Sequence, residues 1–114
     1  MNESDQEYLA DMLDQARFAI ALLGTGAAST VAVDRTVFYA LCHTIQTIGE
    51  AANQISLESR VRLNSIPWQK IIAMRNRLVH GYRTVAEDLV FGTARDDLPP
   101  LVATLRQVLE EDRR

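Results

Sequence analysis

Apolar residues recur at i, i+3 and i+4 along most of the chain, and alternation of apolar and polar residues is nowhere sustained. The pattern predicts helices and no strands. A first helix is expected from about Asp5 to Leu23, with Leu9, Met12, Leu13, Ala16, Ile20 and Leu23 on its buried stripe. Ser4-Asp5-Gln6-Glu7 has the form of a capping box, and Gly24-Thr25-Gly26 is a stop signal. A second helix is expected from about Asp34 to Ile55. Its stripe of Phe38, Leu41, Cys42, Ile45, Ile48, Ala52 and Ile55 keeps the helical period for about six turns. A polar connector carrying Arg60 and Arg62 follows. A third helix should start near Pro67 and stop at Gly81. A fourth should open on the capping box Thr84-Val85-Ala86-Glu87 and end between Ala94 and Asp97. A fifth should hold Pro99 and Pro100 in its first turn and bury Leu101, Leu105, Val108 and Leu109, with a fraying tail from Glu110 to Arg114. The expected architecture is all-α: a single domain over residues 1–114, an up-down bundle of about five helices.

One position breaks this pattern. Trp68, Ile71, Ile72, Leu78 and Val79 make one stripe of the third helix, and the residue that should complete it is Arg75. A guanidinium on a core-facing stripe is costly unless paired, and it cannot shed its charge. Glu50, beside the second helix's stripe and between the small residues Gly49 and Ala51, is the expected counter-ion, because a second helix can approach closely there. Asn76 and His80 lie four residues apart and so share one edge of the same face. His80 falls in the last turn of the helix. Trp68 reads as core, and Tyr82 as a residue just past the helix end.

Charge sharpens the picture. The formal net charge is −3, yet the window from Ser59 to Ala86 holds no acidic residue. It carries Arg60, Arg62, Lys70, Arg75, Arg77 and Arg83, a basic island able to localise a phosphodiester such as RNA. The single cysteine, Cys42, lies on an apolar stripe, so no disulfide within the chain is expected. The acidic N-terminus does not resemble a secretory signal, and the charge-free run from Phe18 to Val33 is too short and too interrupted to span a bilayer. The expectation is a cytoplasmic protein with no membrane contact.

Arg75, Asn76 and His80 together suit RNA cleavage without a metal. His80 can move a proton near neutral pH, Arg75 can neutralise charge on phosphorus, and Asn76 can orient the phosphate or the imidazole. The two histidines and scattered carboxylates lack metal-ligand spacing, and there is no glycine-rich phosphate loop, so no cofactor is expected. One histidine cannot easily serve as both acid and base, which a two-fold dimer with two copies in one groove would resolve. Singly, each residue has an ordinary structural explanation: a cap for His80, a buried structural ion for Arg75. Their gathering inside a basic island favours a site.

Arg75-Asn76-x-x-x-His80-x-Tyr82 resembles the Arg-x4-His-x-Tyr motif of HepT-like toxins in the HEPN ribonuclease superfamily. Ile48-Gly49-Glu50-Ala51-Ala52 matches the helix-2 signature of those proteins. Ile66-Pro67-Trp68 precedes the motif as it does there, and Asp97-Leu98-Pro99-Pro100-Leu101 resembles the start of their last helix. The resemblance implies a homodimeric HEPN-like bundle with a composite cleft, in which Arg75 and His80 are catalytic. It also implies a place in a type VII toxin–antitoxin pair, with an MntA-like nucleotidyltransferase antitoxin that transfers AMP to Tyr82. Some members are described as substrate-binding companions of such nucleotidyltransferases, so a catalytically silent scaffold subunit is the alternative. A helical interaction domain with a structural arginine is a third reading.

Overall fold

The computed structural model describes residues 1–23, 35–81 and 85–112. Its elements are α1 (Glu3–Leu23), α2 (Arg35–Gln54), α3 (Leu57–Arg62), α4 (Trp68–Gly81), α5 (Glu87–Gly92), a π-helical turn (Thr93–Asp97) and α6 (Leu98–Asp112). The fold is all-α, as the period of the apolar residues predicts. Among the described residues no helix is long and apolar enough to cross a membrane.

α1 and α2 form the centre. α1 packs against both α2 and α6, and α4 packs against α2. Leu9, Met12, Ala16 and Ala19 of α1 meet a core containing Leu41, Ile45, Ile48 and Ala52 of α2 and Leu98, Leu101 and Leu105 of α6. All seven apolar positions expected on the α2 stripe are buried. On α1 the stripe is rotated slightly: Ala19 is buried, while Leu13, Ile20 and Leu23 are half-buried. Small Ala16 and Ala19 admit two neighbouring helices, and the larger residues fill the flanks.

The ends of the elements depart from expectation in several places. The start of α1 is held by Asn2, whose Oδ1 accepts the Asp5 N–H at 2.7 Å. Ser4 therefore lies inside the helix and does not cap it. Asp5 is instead a buried connector, 2% exposed. Its carboxylate accepts the Ser56 N–H at 3.0 Å and the hydroxyls of Ser56 and Ser59 at 2.6 Å each. Burial by itself would raise this carboxyl, but the hydrogen bonds from Ser56 and Ser59 outweigh it and hold it below the usual carboxylate value.

The connector with Arg60 and Arg62 is the short helix α3. Ser56 caps it by accepting the Ser59 N–H at 3.2 Å. The expected break between the last two helices is absent. Pro99 and Pro100 cannot donate to the preceding turn and their rings crowd its carbonyls. A widened turn, in which the Leu98 N–H reaches back five residues to Thr93 O, absorbs this and keeps the chain helical from Glu87 to Asp112. Ala86 occupies the N-cap of α5 with no side-chain cap, and Thr84 of the expected capping box lies outside the described residues. So does the expected stop at Gly24-Thr25-Gly26. The C-terminal segment does not fray at Glu110: α6 continues to Asp112, which accepts a hydrogen bond from Gln6 and lies 3.9 Å from the N-terminal amine.

Candidate active site

α4 is fixed at its start by Trp68. The ring is buried and its indole N–H donates to Leu63 O at 3.0 Å. Leu78, 1% exposed, holds the other end in the core. Gly81 then ends the helix with φ of +143°, a conformation that side-chain-bearing residues rarely adopt. Between these anchors the helix is pressed against α2 at one point. A Cβ on Gly49 would lie 2.2 Å from Arg75 Cβ and 2.8 Å from Arg75 Cγ, so the contact exists because residue 49 has no side chain.

That contact places Arg75. The residue is half-buried, and its Nε is fully buried with no hydrogen-bond partner. One terminal nitrogen donates to Asn76 Oδ1 at 3.0 Å. The expected ion pair with Glu50 is absent among the described residues. Glu50 is exposed and accepts from Gln46 one turn earlier on its own helix, at 3.2 Å. Each partner is held by a neighbour on its own helix. Arg75 and Glu50 nevertheless line one cleft of about 580 Å³, together with Tyr8, Asp11 and Gln15 of α1 and Asn53 and Gln54 of α2.

His80 is exposed and follows Asn76 by four residues, so the two stand about 6 Å apart along one edge of α4. Asn76, Arg77, Val79 and His80 are all exposed. Val79, expected on the buried stripe, is 45% exposed. The outer edge of α4 is thus open next to the point where Arg75 enters the protein. No hydrogen bond joins His80 to Arg75 or Asn76 among the described residues.

The basic island divides. Arg60 is occupied: its guanidinium donates to Ile55 O at 3.0 Å and Asn53 O at 2.9 Å, satisfying carbonyls at the end of α2. Lys70 pairs with Asp97 at 3.1 Å. Arg62 and Arg77 are exposed and make no ion pair among the described residues. Arg83 and Tyr82 lie outside the described residues.

Cys42 is buried, and burial, with Glu87 as a smaller contributor, pushes its thiol up to about 11. Among the described residues no three His, Cys, Asp or Glu side chains gather where a metal could be held. A second cavity of about 330 Å³, with Ile45, Ile66, Ile71 and Leu101 in its walls, contains neither Arg75, Asn76 nor His80. The residues that sequence reasoning missed are Tyr8 and Asp11. They flank the buried stripe of α1, and their proximity to Arg75 depends on how α1 is aligned against α2, which no local pattern records.

The Ribonuclease HepT-like family model matches residues 12–108, which takes in Gly49, Glu50 and the whole of α4. The chain belongs to the HepT-like ribonuclease family. As a HepT-like ribonuclease it is an enzyme that cleaves RNA. A protein of Caldanaerobacter subterraneus subsp. tengcongensis named as a candidate RNase is 23% identical over 111 residues, covering 97% of this chain and 99% of that protein. A candidate ribonuclease HepT of Thermococcus cleftensis is 25% identical over 101 residues, covering 89% of this chain and 92% of its own. A Methanocaldococcus jannaschii protein named as a gamma-glutamylcyclotransferase and candidate RNase is 32% identical over 72 residues. That match covers 63% of this HepT-like chain but 32% of the longer protein. No solved structure matches the chain.

Proposed function

We propose that this chain is the ribonuclease toxin of a prokaryotic toxin–antitoxin pair and that it cuts RNA without a metal through Arg75, Asn76 and His80. The observation that carries the reading is the hydrogen bond from Arg75 to Asn76 Oδ1 at 3.0 Å, beside an exposed His80 one turn further along the same helix edge. Because Asn76 Oδ1 is taken by Arg75, its NH₂ group is free to donate to a non-bridging phosphate oxygen. The second terminal nitrogen of Arg75 can do the same and neutralise charge that grows on phosphorus.

His80 takes the proton from a ribose 2′-hydroxyl. The 2′-oxygen bonds to phosphorus as the bond to the 5′-oxygen breaks, and the departing oxygen receives a proton. The products are a 2′,3′-cyclic phosphate and a 5′-hydroxyl. A second copy of the chain supplies the second imidazole, which is the physical reason for a homodimer. Arg62, Arg77 and Arg83 draw RNA to the open edge of α4. Arg60 and Lys70, already engaged, contribute less.

Control comes from an MntA-like nucleotidyltransferase antitoxin that transfers AMP to Tyr82. Tyr82 is two residues after His80 in the sequence, and the added phosphate carries negative charge that would compete with RNA for the same cations. The test is intact-mass analysis after incubation with the partner and ATP, followed by RNA cleavage. One AMP per chain on Tyr82 with loss of cleavage is expected. An unmodified Tyr82, or cleavage that survives the modification, would overturn this mode of control.

A further inference from the structure

The cleft beside Arg75 has an unexpected charge for a ribonuclease. Asp11 and Glu50 both line it, and among the described residues Arg75 is its one cation. A phosphate placed deep in such a cleft would meet two carboxylates at close range, which is repulsive. What the cleft suits is a neutral group rich in hydrogen-bond donors. Its volume of about 580 Å³ is ample for one nucleobase.

We propose that this cleft is a base-recognition pocket that selects guanine in single-stranded RNA, with the adjoining phosphate held by Arg75. The proposal rests on the ribonuclease reading above and adds a sequence preference to it. Guanine presents two neighbouring donors, N1–H and N2–H₂, on its Watson–Crick edge, and a carboxylate can accept both at once. Adenine, cytosine and uracil offer no such adjacent pair. Unstacked RNA bases are commonly read on that edge and held against an aromatic ring or a guanidinium plane. Glu50 accepts from Gln46 at one oxygen, and each of its two oxygens can still accept a further hydrogen bond. Asp11 provides a second carboxylate, and Tyr8, half-buried on the same wall, provides a ring. The side-chain amides of Gln15 and Asn53 can donate to guanine O6.

Arg75 is the residue common to the cleft and to the motif on α4. A base in the cleft and its phosphate at Arg75 would therefore bring one linkage of the strand to the edge that carries Asn76 and His80. Preference in binding and position of cleavage are then set by one geometry.

The test uses full-length His80→Ala protein, so that RNA survives, and short oligoadenylates with a single central guanosine, inosine, adenosine or cytidine. Binding is read by fluorescence anisotropy. Guanosine is expected to bind about tenfold more tightly than adenosine, the discrimination of one bidentate pair. Inosine, which lacks the N2 amino group, should fall between them. Glu50→Gln and Asp11→Asn, each in the His80→Ala background, should bring the guanosine-to-adenosine ratio towards one, with circular dichroism confirming the fold. Equal affinity for all four oligonucleotides, or an unchanged ratio in both carboxamide variants, overturns the proposal. Wild-type cleavage without base preference would defeat the guanine pocket alone. A guanosine preference in a wild-type protein that cuts no RNA would defeat the ribonuclease reading alone.

Discussion

Gly49 and Arg75 touch: a methyl group on Gly49 would lie 2.2 Å from Arg75 Cβ. This contact sets how closely α4 lies on α2 and so where the guanidinium enters the cleft. Gly49→Ala would ordinarily favour a helix by about 0.5–1 kcal/mol. Here the steric term should win, because overpacking a tight contact costs about 1–3 kcal/mol. Gly49→Ala is therefore expected to lower the midpoint of urea unfolding and to reduce RNA cleavage together. A stabilised variant would show that the two helices can separate at no cost.

Arg75→Ala should behave differently. No ion pair joins Arg75 to Glu50, and the one fully buried nitrogen is already without a partner. Removing the guanidinium leaves no buried charge unpaired, so stability should change by at most about 1 kcal/mol. Cleavage should be lost. Urea unfolding and an RNA cleavage assay on the same sample check both parts, and a loss of several kcal/mol would point to a counter-ion held in solution.

Asp5 supplies a pH dependence. Its folded-state carboxyl is held below its ordinary value by Ser56 and Ser59. Its contribution to stability is therefore fully present above the unfolded value of about 4 and is lost as pH falls through the lower folded value. Wild-type protein should lose more stability between pH 7 and pH 3 than Asp5→Asn. At pH 7 the variant should be less stable by about 1–3 kcal/mol, since an amide hydrogen replaces an acceptor facing two serine donors. Equal pH profiles would mean that Asp5 titrates alike in both states.

The basic island should separate into two classes. Arg77→Glu is expected to weaken RNA binding and flatten its salt dependence, because Arg77 is exposed and without an ion pair among the described residues. Arg60→Ala should cost stability instead, by about 1 kcal/mol, because it strips donors from Ile55 and Asn53 carbonyls. Anisotropy titrations at two salt concentrations, alongside urea unfolding, distinguish the two. The same loss of binding from Arg60→Ala as from Arg77→Glu would return Arg60 to the docking surface.

What was legible in the sequence follows from the range of each interaction. The α2 stripe from Phe38 to Ile55 was readable in full, because one face of a long helix is buried along its whole length. The close approach at Gly49 was readable too, since a small residue beside a buried stripe has few other uses. Local competition defeated the reading of the caps: Asn2 lies two positions before Ser4 and takes its role, which leaves Asp5 for a contact 51 residues away. The prolines of α6 suggested a break, yet a widened turn accommodates them without one. Arg75 is half-buried on its stripe and lacks the expected partner. Charge complementarity named Glu50, whereas side-chain reach along each helix gave Asn76 to Arg75 and Gln46 to Glu50. Asp11 and Tyr8 came to the cleft through the packing of α1, which has no signature in either helix alone.

In the proposed mechanism His80 moves the proton in RNA cleavage. The direct measurement is cleavage of a single-stranded RNA by wild-type and His80→Ala protein in the presence of EDTA, with the product ends mapped. His80 is exposed and makes no hydrogen bond to Arg75 or Asn76, so its removal should leave unfolding unchanged. Wild-type protein should leave 2′,3′-cyclic phosphate and 5′-hydroxyl ends despite the chelator, and His80→Ala should reduce the rate by at least about a hundredfold. Cleavage by His80→Ala at the wild-type rate, or wild-type cleavage abolished by EDTA, would contradict the account.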